Sequence, residues 1–360
     1  MTLPSSRFTS VVARRVLHAF TASQSTVAAI AGVLLSLSGP SQAQEFGIPG
    51  FGNLTAFGTA NAGVFVEDGK LGIPTKGDTK VQIQNVNSLV GADWRWDVGS
   101  SQVLLGHFEY GGDFVPVDET FDRGRTHQAY GGLSNGLGTL TFGRQLVSFA
   151  RFYSSFVNRS QEIYATGITT PNAGGVKFSS NLLHVSSSVG RFEFGGDYQP
   201  RSLGSSIADR ERLALGARYL QLFGRISFGG VLDRSEVDSG EEKYRVGIAG
   251  QYASEQWLIA AGVHNVNDAS ADTTQSYNLL GIIQLTPDDV LHLSLSHIED
   301  SDVYDRNFGA GFLVEHRFGS RLSIYAEGAA TSSEPASGGD TALNSALIVG
   351  VRFEFGNVWY

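Results

Sequence analysis

His292 and Ser294 stand two residues apart in a run with Leu291, Leu293 and Leu295. An extended chain puts alternate side chains on one face, so a base and a hydroxyl nucleophile share a side there. Nucleophilic catalysis also needs an acid or amide to orient the imidazole, and the sequence places none beside the pair. No enzymatic activity is expected. Glu299, Asp300, Asp302 and Asp305 gather acids without the glycine and closing glutamate of a calcium loop. Calcium is therefore unsupported there, and no metal site or cofactor is expected. The 45 glycines are scattered through alternating segments, so no nucleotide-binding fingerprint appears. Zero cysteines exclude disulfide frameworks, thiolate metal sites and cysteine nucleophiles. With 35 Asp+Glu against 26 Lys+Arg and a net charge of −9, nucleic acid is not an expected partner. What remains is a set of charged side chains that strand parity assigns to one face: His107, Glu109, His127, His184, Arg191, Glu193, Arg212, Arg218, Arg225, Arg245 and Arg352. Charges in a confined space act on ions through short-range electrostatics at reduced dielectric. They need a scaffold that turns them all the same way.

Strand periodicity supplies that scaffold. Between residues 53 and 66, Leu54, Ala56, Ala60, Ala62, Val64 and Val66 alternate with Asn53, Thr55, Thr59 and Asn61, with Phe57 and Phe65 among the polar set. The same two-faced pattern recurs at residues 212–219 and 244–252. About sixteen such runs start near residues 53, 81, 102, 126, 139, 178, 191, 212, 225, 244, 256, 275, 290, 307, 322 and 344. Short connections (97–101, 253–255, 286–288, 318–321) alternate with longer, acidic, Gly/Ser-rich ones (67–79, 234–243, 299–305, 331–340). A soluble sandwich can alternate in this way too. Two features decide against it. Aromatics cluster at run ends (Trp94/Trp96, Phe108/Tyr110, Phe192/Phe194, Tyr252/Trp257, Phe353/Phe355), as membrane-interface girdles do. The chain also closes on a strongly alternating run, residues 347–355. In lipid every backbone group must pair internally, which leaves a closed barrel as the only β solution. The expected fold is all-β: a sixteen-stranded antiparallel transmembrane β-barrel with an inward-folded loop, the apolar face toward lipid and the charged face toward water.

Residues 1–43 read as a signal peptide, and 44–360 as the barrel. Arg7, Arg14 and Arg15 precede an apolar stretch at 27–37, and Ser41-Gln42-Ala43 offers a cleavage site. Residues 146–177 show no clean alternation and exceed ordinary loop length. They carry Phe149, Phe152, Tyr153, Phe156, Ile163, Tyr164 and Ile168, an apolar load that must pack, and the barrel's interior wall is available. A loop folded there narrows the lumen and sets Arg151, Arg159, Lys177 and its single acid, Glu162, against the wall charges. Arg144 shares parity with Leu140 and Phe142 and so faces outward. A bare arginine in lipid costs about 2–4 kcal/mol at midplane, which predicts cover from a neighbouring protomer through an acid between Asp113 and Asp122.

Gln128-Ala129-Tyr130-Gly131-Gly132-Leu133-Ser134, followed by Gly138-Thr139-Leu140-Thr141-Phe142-Gly143-Arg144-Gln145, resembles the general porins of Gram-negative bacteria. Trp96-Asp97-Val98-Gly99 leading into His107-Phe108-Glu109-Tyr110 is similar to that family's second periplasm-facing hairpin. Gly350-Val351-Arg352-Phe353-Glu354-Phe355 resembles the end of porins from photosynthetic bacteria, except that residues 356–360 run past the usual terminal phenylalanine. The resemblance implies a homotrimer of water-filled barrels in the cell outer membrane, passing small hydrophilic solutes and ions passively. It also implies a third loop that constricts the lumen and a second loop that covers a neighbour, with outer-membrane lipid and lipopolysaccharide as surroundings. Related porins carry arginine where His127 and His184 stand. Histidine is the side chain that changes charge between pH 5 and 8, so the two readings there are a pH-dependent selectivity and plain hydrated wall residues. Alternative readings are a substrate-specific channel and a plugged barrel with a structural or adhesive role.

Overall fold

A computed structural model describes residues 45–48, 51–68, 79–85, 88–111, 125–157, 178–200, 211–222, 225–236, 242–268, 273–299, 304–335 and 341–356. The signal peptide, the acids between 113 and 122, and Arg159, Glu162 and Lys177 lie outside these residues, as does the stretch 357–360.

The strands, in chain order, are β1 (Glu45–Ile48), β2 (Gly52–Asp68), β3 (Thr79–Asn85), β4 (Leu89–Gly99), β5 (Gln102–Gly111), β6 (Arg125–Asn135), β7 (Gly138–Leu146), β8 (Phe178–Val189), β9 (Phe192–Gln199), β10 (Arg212–Leu222), β11 (Ile226–Glu236), β12 (Glu242–Ala253), β13 (Trp257–Asp268), β14 (Thr274–Gln284), β15 (Asp289–Glu299), β16 (Tyr304–Phe318), β17 (Leu322–Pro335) and β18 (Ala342–Phe355). Consecutive strands from β4 to β18 pair antiparallel, and β18 returns to β2, from Ser345↔Asp68 to Phe355↔Gly58. The ring is closed. On its other edge β2 takes β3 along residues 62–68 and β4 along residues 53–59, so these two pieces make one spanning strand. β1 continues the line of β18 along the first edge, from Glu45↔Thr55 to Ile48↔Gly52. Eighteen segments therefore fill sixteen positions in an antiparallel barrel.

Alternation explains which side faces out. Along β18, Leu343, Leu347 and Val349 are exposed while Asn344, Ile348 and Arg352 are buried. Leu213, Leu215, Leu232, Val246, Ile248, Val263, Leu279, Leu293 and Leu295 extend the exposed apolar face around the ring, the surface a bilayer requires. Short turns lie at one end. At 100–101 both serines have positive φ, 53° and 63°, the left-handed pair that matches hairpin twist. The expected aromatic belt gathers near that end. Phe192 meets Tyr219 with centroids 4.5 Å apart, Tyr219 meets Phe228 at 5.7 Å, and Tyr252 stacks on Trp257 at 5.0 Å. Phe108 and Tyr110 lie at the other end of β5, and Phe353 is buried, so only Phe355 of that last pair is exposed.

Candidate functional site

After β7 the chain turns into the barrel. A π-helical turn, Ala150–Ser154, runs into Ser155–Val157, and its aromatics pack on the polar inner face. Glycine makes the seat. A Cβ on Gly195, Gly216 or Gly229 would come within 3 Å of Phe152, and one on Gly247 within 3 Å of Tyr153. A Cβ on Gly262 would lie 2.9 Å from Val157 and 3.0 Å from Tyr153. Five consecutive strands, β9 to β13, thus contribute one glycine each to a trough that the segment fills. Val147, Phe149, Phe152, Tyr153, Phe156 and Val157 form one buried cluster there with Leu182, Val231 and Ala249. The phenol of Tyr153 accepts the Asn278 amide at 2.9 Å and meets His264 Nδ1 at 3.0 Å. Burial raises the Tyr153 pKa, so the phenol stays neutral and able to share its proton. Asp197 accepts the Ser148 amide N–H and ties the segment's start to β9. Residues 147–157 thus pack against the inner face of β9–β13.

Arg151 donates from Nε to the Leu146 carbonyl at 3.2 Å, and burial pulls its pKa below the usual arginine value. Its own carbonyl accepts Arg218 Nη1 at 3.4 Å. Arg218 also sits 5.9 Å over the Phe152 ring, and Arg245 sits 5.8 Å over Phe149.

The wall charges come in cross-strand pairs. Arg218 bonds Glu193 at 2.7 Å, Arg212 bonds Asp233, and Arg352 bonds Glu315. His184 Nδ1 lies 2.7 Å from Asp197 Oδ1, His107 Nδ1 lies 2.7 Å from Asp93 Oδ1, and His127 Nδ1 lies 3.0 Å from Glu109 Oε1. Arg245 stands opposite Asp233 in the β11–β12 register. Sequence parity had gathered the cations but left out most of their acids. Asp93, Asp197, Asp233 and Glu315 were legible only as members of the same alternation on other strands.

Two wall assignments need correction, Arg225 and Arg191. Arg225 lies exposed in the turn before β11 and donates to the Tyr252 hydroxyl at 3.1 Å. Arg191 lies in the turn before β9, exposed, donating to the Gln221 carbonyl, so it belongs to the rim and not to the spanning wall. His127 reaches the inner face against simple parity. Gln128 and Tyr130 occupy that face, with Gln128 donating to Glu109 at 3.2 Å and Tyr130 stacked on His107 at 5.0 Å. The register slips between Glu109↔Gln128 and Tyr110↔Thr126, leaving His127 as the extra residue of a bulge that re-aims it inward. Arg144 faces outward as expected. It donates from Nε to the Thr126 carbonyl at 2.8 Å and from Nη1 to Ser180 at 3.2 Å, and its guanidinium stands 6.0 Å over Phe178. His292 is buried on the inner side, opposite exposed Leu293 and Leu295.

Solved structures share this architecture. The chain is similar to an anion-selective porin from Comamonas acidovorans, with a TM-score of 0.69 at 14% identity over 84% of this chain and 99% of that one. It is similar to OmpT of Vibrio cholerae in its trimer form, with a TM-score of 0.65 at 14% identity over 84% and 99% of the two chains. A mutant Rh. blastica porin gives 0.58 at 15% identity over 84% of this chain and 100% of that one. No curated protein sequence matches. The profile of the Gram-negative porin family, however, matches residues 26–336. With a closed sixteen-strand barrel, an apolar exterior and a segment folded onto its inner wall, the chain belongs to the Gram-negative porins, outer-membrane channels for the passive diffusion of small hydrophilic solutes.

Proposed function

We propose that this porin is a weakly selective, homotrimeric diffusion channel narrowed by the segment that begins at residue 147. The observation that carries the reading is charge pairing. Arg212 and Arg218 each end on a carboxylate of an adjacent strand, and Arg352 on β18 reaches across β17 to Glu315 on β16, so their fields largely cancel for a passing ion. The Comamonas relative is described as anion-selective, and an unpaired arginine wall would favour the same preference here. Reversal potentials across a salt gradient in planar bilayers separate the two: a value near zero supports weak selectivity, and a strongly anionic one rejects it. Silence in the bilayer would favour a plugged structural barrel, and saturable block by one sugar would favour a substrate-specific pore.

A trimer form of the Vibrio protein exists, and outward-facing Arg144 supports a protomer contact in this chain. Arg144→Ala is expected to lower the melting temperature of the trimer in detergent, and an unchanged trimer counts against the contact. Export follows from removal of residues 1–43, read out by the N-terminus of the mature chain. Lipopolysaccharide meets the long-loop rim, where Arg234, Glu242 and Tyr244 form an outward polar group. No enzymatic role is proposed for His292 and Ser294.

A further inference from the structure

The outer face carries a hollow that the barrel does not fill. It lies across β8–β11, measures about 710 Å³ and opens away from the lumen. Gly196, Ala217 and Gly230 form its floor. Pairing places Gly196 between Val185 and Leu215, and Ala217 between Phe194 and Gly230. Leu213 and Leu232 complete the apolar sides. Ser187, on the lower side, donates its hydroxyl to the Leu137 carbonyl at 2.6 Å, so that group asks nothing of an occupant. Other outward glycines are roofed by the protein's own rings. A Cβ on Gly58 would meet Phe355 at 2.6 Å, and one on Gly328 would meet Phe312 at 2.5 Å. No ring comes within 4 Å of a Cβ on Gly196 or Gly230, whose nearest side-chain atoms belong to Leu215 at 3.0 Å and Ile248 at 3.7 Å.

Height tells what fills it. Phe192, Tyr219 and Phe228 pack together at the short-turn end, one outward position below Phe194, Ala217 and Gly230 on the same strands. At the other end Arg234, Glu242 and Tyr244 form the polar rim. Arg234 stands opposite Leu213 there, one outward position beyond Leu232. The hollow therefore lies wholly within the apolar band, in the half nearer the long loops, which face the cell exterior in such barrels. Left empty, it forfeits dispersion contacts along its whole lining. Water finds no polar partners in it. Within hydrocarbon, packing rather than water exclusion decides what binds, and a flexible methylene chain touches the floor and both sides at once.

From this geometry we infer that the hollow on β8–β11 is a binding site for one acyl chain of an outer-leaflet lipid, with Gly196, Ala217 and Gly230 making room for it. The site does not depend on what the pore conducts, so it stands or falls separately from the channel reading.

The experiment mixes the purified barrel in detergent with a phosphatidylethanolamine that carries a diazirine midway along one saturated chain. Peptide masses after illumination are expected to place adducts on residues 194–198, 213–217 and 230–232, in excess over other exposed outward positions such as Ile324 and Leu347. Ala217→Phe fills the floor and should lower the adducts in the hollow at least about five-fold by removing the chain's packing contacts. Ile324→Phe on β17 should leave them unchanged. Ala217→Leu, a side chain the same face already carries at Leu213 and Leu215, gives the same direction should the phenylalanine variant not fold. Adducts spread evenly around the outward face overturn the proposal, as does a yield in the hollow that survives both Ala217 changes. A face that takes no adduct because a second copy covers it overturns it too.

Discussion

Two sectors of the inner wall use the same alternation in opposite ways. Across β9–β13 the inward positions include a glycine on every strand, and Phe152, Tyr153 and Val157 of the inserted segment occupy the vacated space. Across β16–β18 and β2 the wall fills itself. There Ile348 lies over Gly63 and Tyr325 over Gly350, in a cluster with Phe65, Leu313, Ala329 and Ala346. One sector accommodates a guest and the other excludes one. The lesson is that where a porin narrows is decided by which strands omit their inward side chains, as much as by the sequence of the loop that enters.

Truncating an occupant from each sector gives the largest contrast. Phe152→Ala is expected to cost about 3–5 kcal/mol and Ile348→Ala about 2–5 kcal/mol, measured by denaturant unfolding of the folded barrel. Conductance separates them, since only Phe152→Ala frees the constricting segment and raises it. Equal conductance in both variants would erase the distinction between guest and wall. Next in size is the trough itself. A methyl on Gly216 meets Phe152 at 2.2 Å, so Gly216→Ala should destabilise by about 1–3 kcal/mol. Gly281 has nothing within 4 Å of an added Cβ, and Gly281→Ala should stay within about 0.5 kcal/mol. Tyr153→Phe, which strands the Asn278 amide, is expected to cost about 1–3 kcal/mol with a small rise in conductance noise. The smallest effect is electrical. Glu193→Gln leaves Arg218 without its acid and should move the reversal potential toward anions while barely changing stability.

The strand framework was legible because burial in lipid enforces a period of two on one face. Runs placed near residues 102, 178, 212 and 322 are strands that begin at Gln102, Phe178, Arg212 and Leu322. The inner face was harder to read. Glycine counts as neither polar nor apolar in an alternation, so Gly216 among Arg212, Ala214 and Arg218 passed as part of a wet face and its partner Phe152 could not be assigned a seat. Phe57 and Phe65 were read as aromatics at the ends of a polar face. They are inner-wall residues, with Phe57 stacked on His107 at 5.6 Å. A bulge is invisible to parity, which is why His127 was placed on the correct side by a rule that puts Gln128 there instead. Arg191 failed for the opposite reason, since it still belongs to the turn at 190–191 and the strand begins one residue later, at Phe192. The acids that neutralise the wall lie on other strands, and pairing register is not written in any single run.

The composite position beside β2 has a consequence for assembly. Glu45 and Phe355 sit on the same edge of that strand, opposite Thr55 and Gly58, although 310 positions of sequence separate them. The cylinder's seam is thus stitched by segments from opposite extremes of the polypeptide. Zippering of neighbouring hairpins can run far ahead, but the last joint waits for both extremes to arrive. Until then β2 presents a row of bare peptide groups, the template on which a second polypeptide can pair.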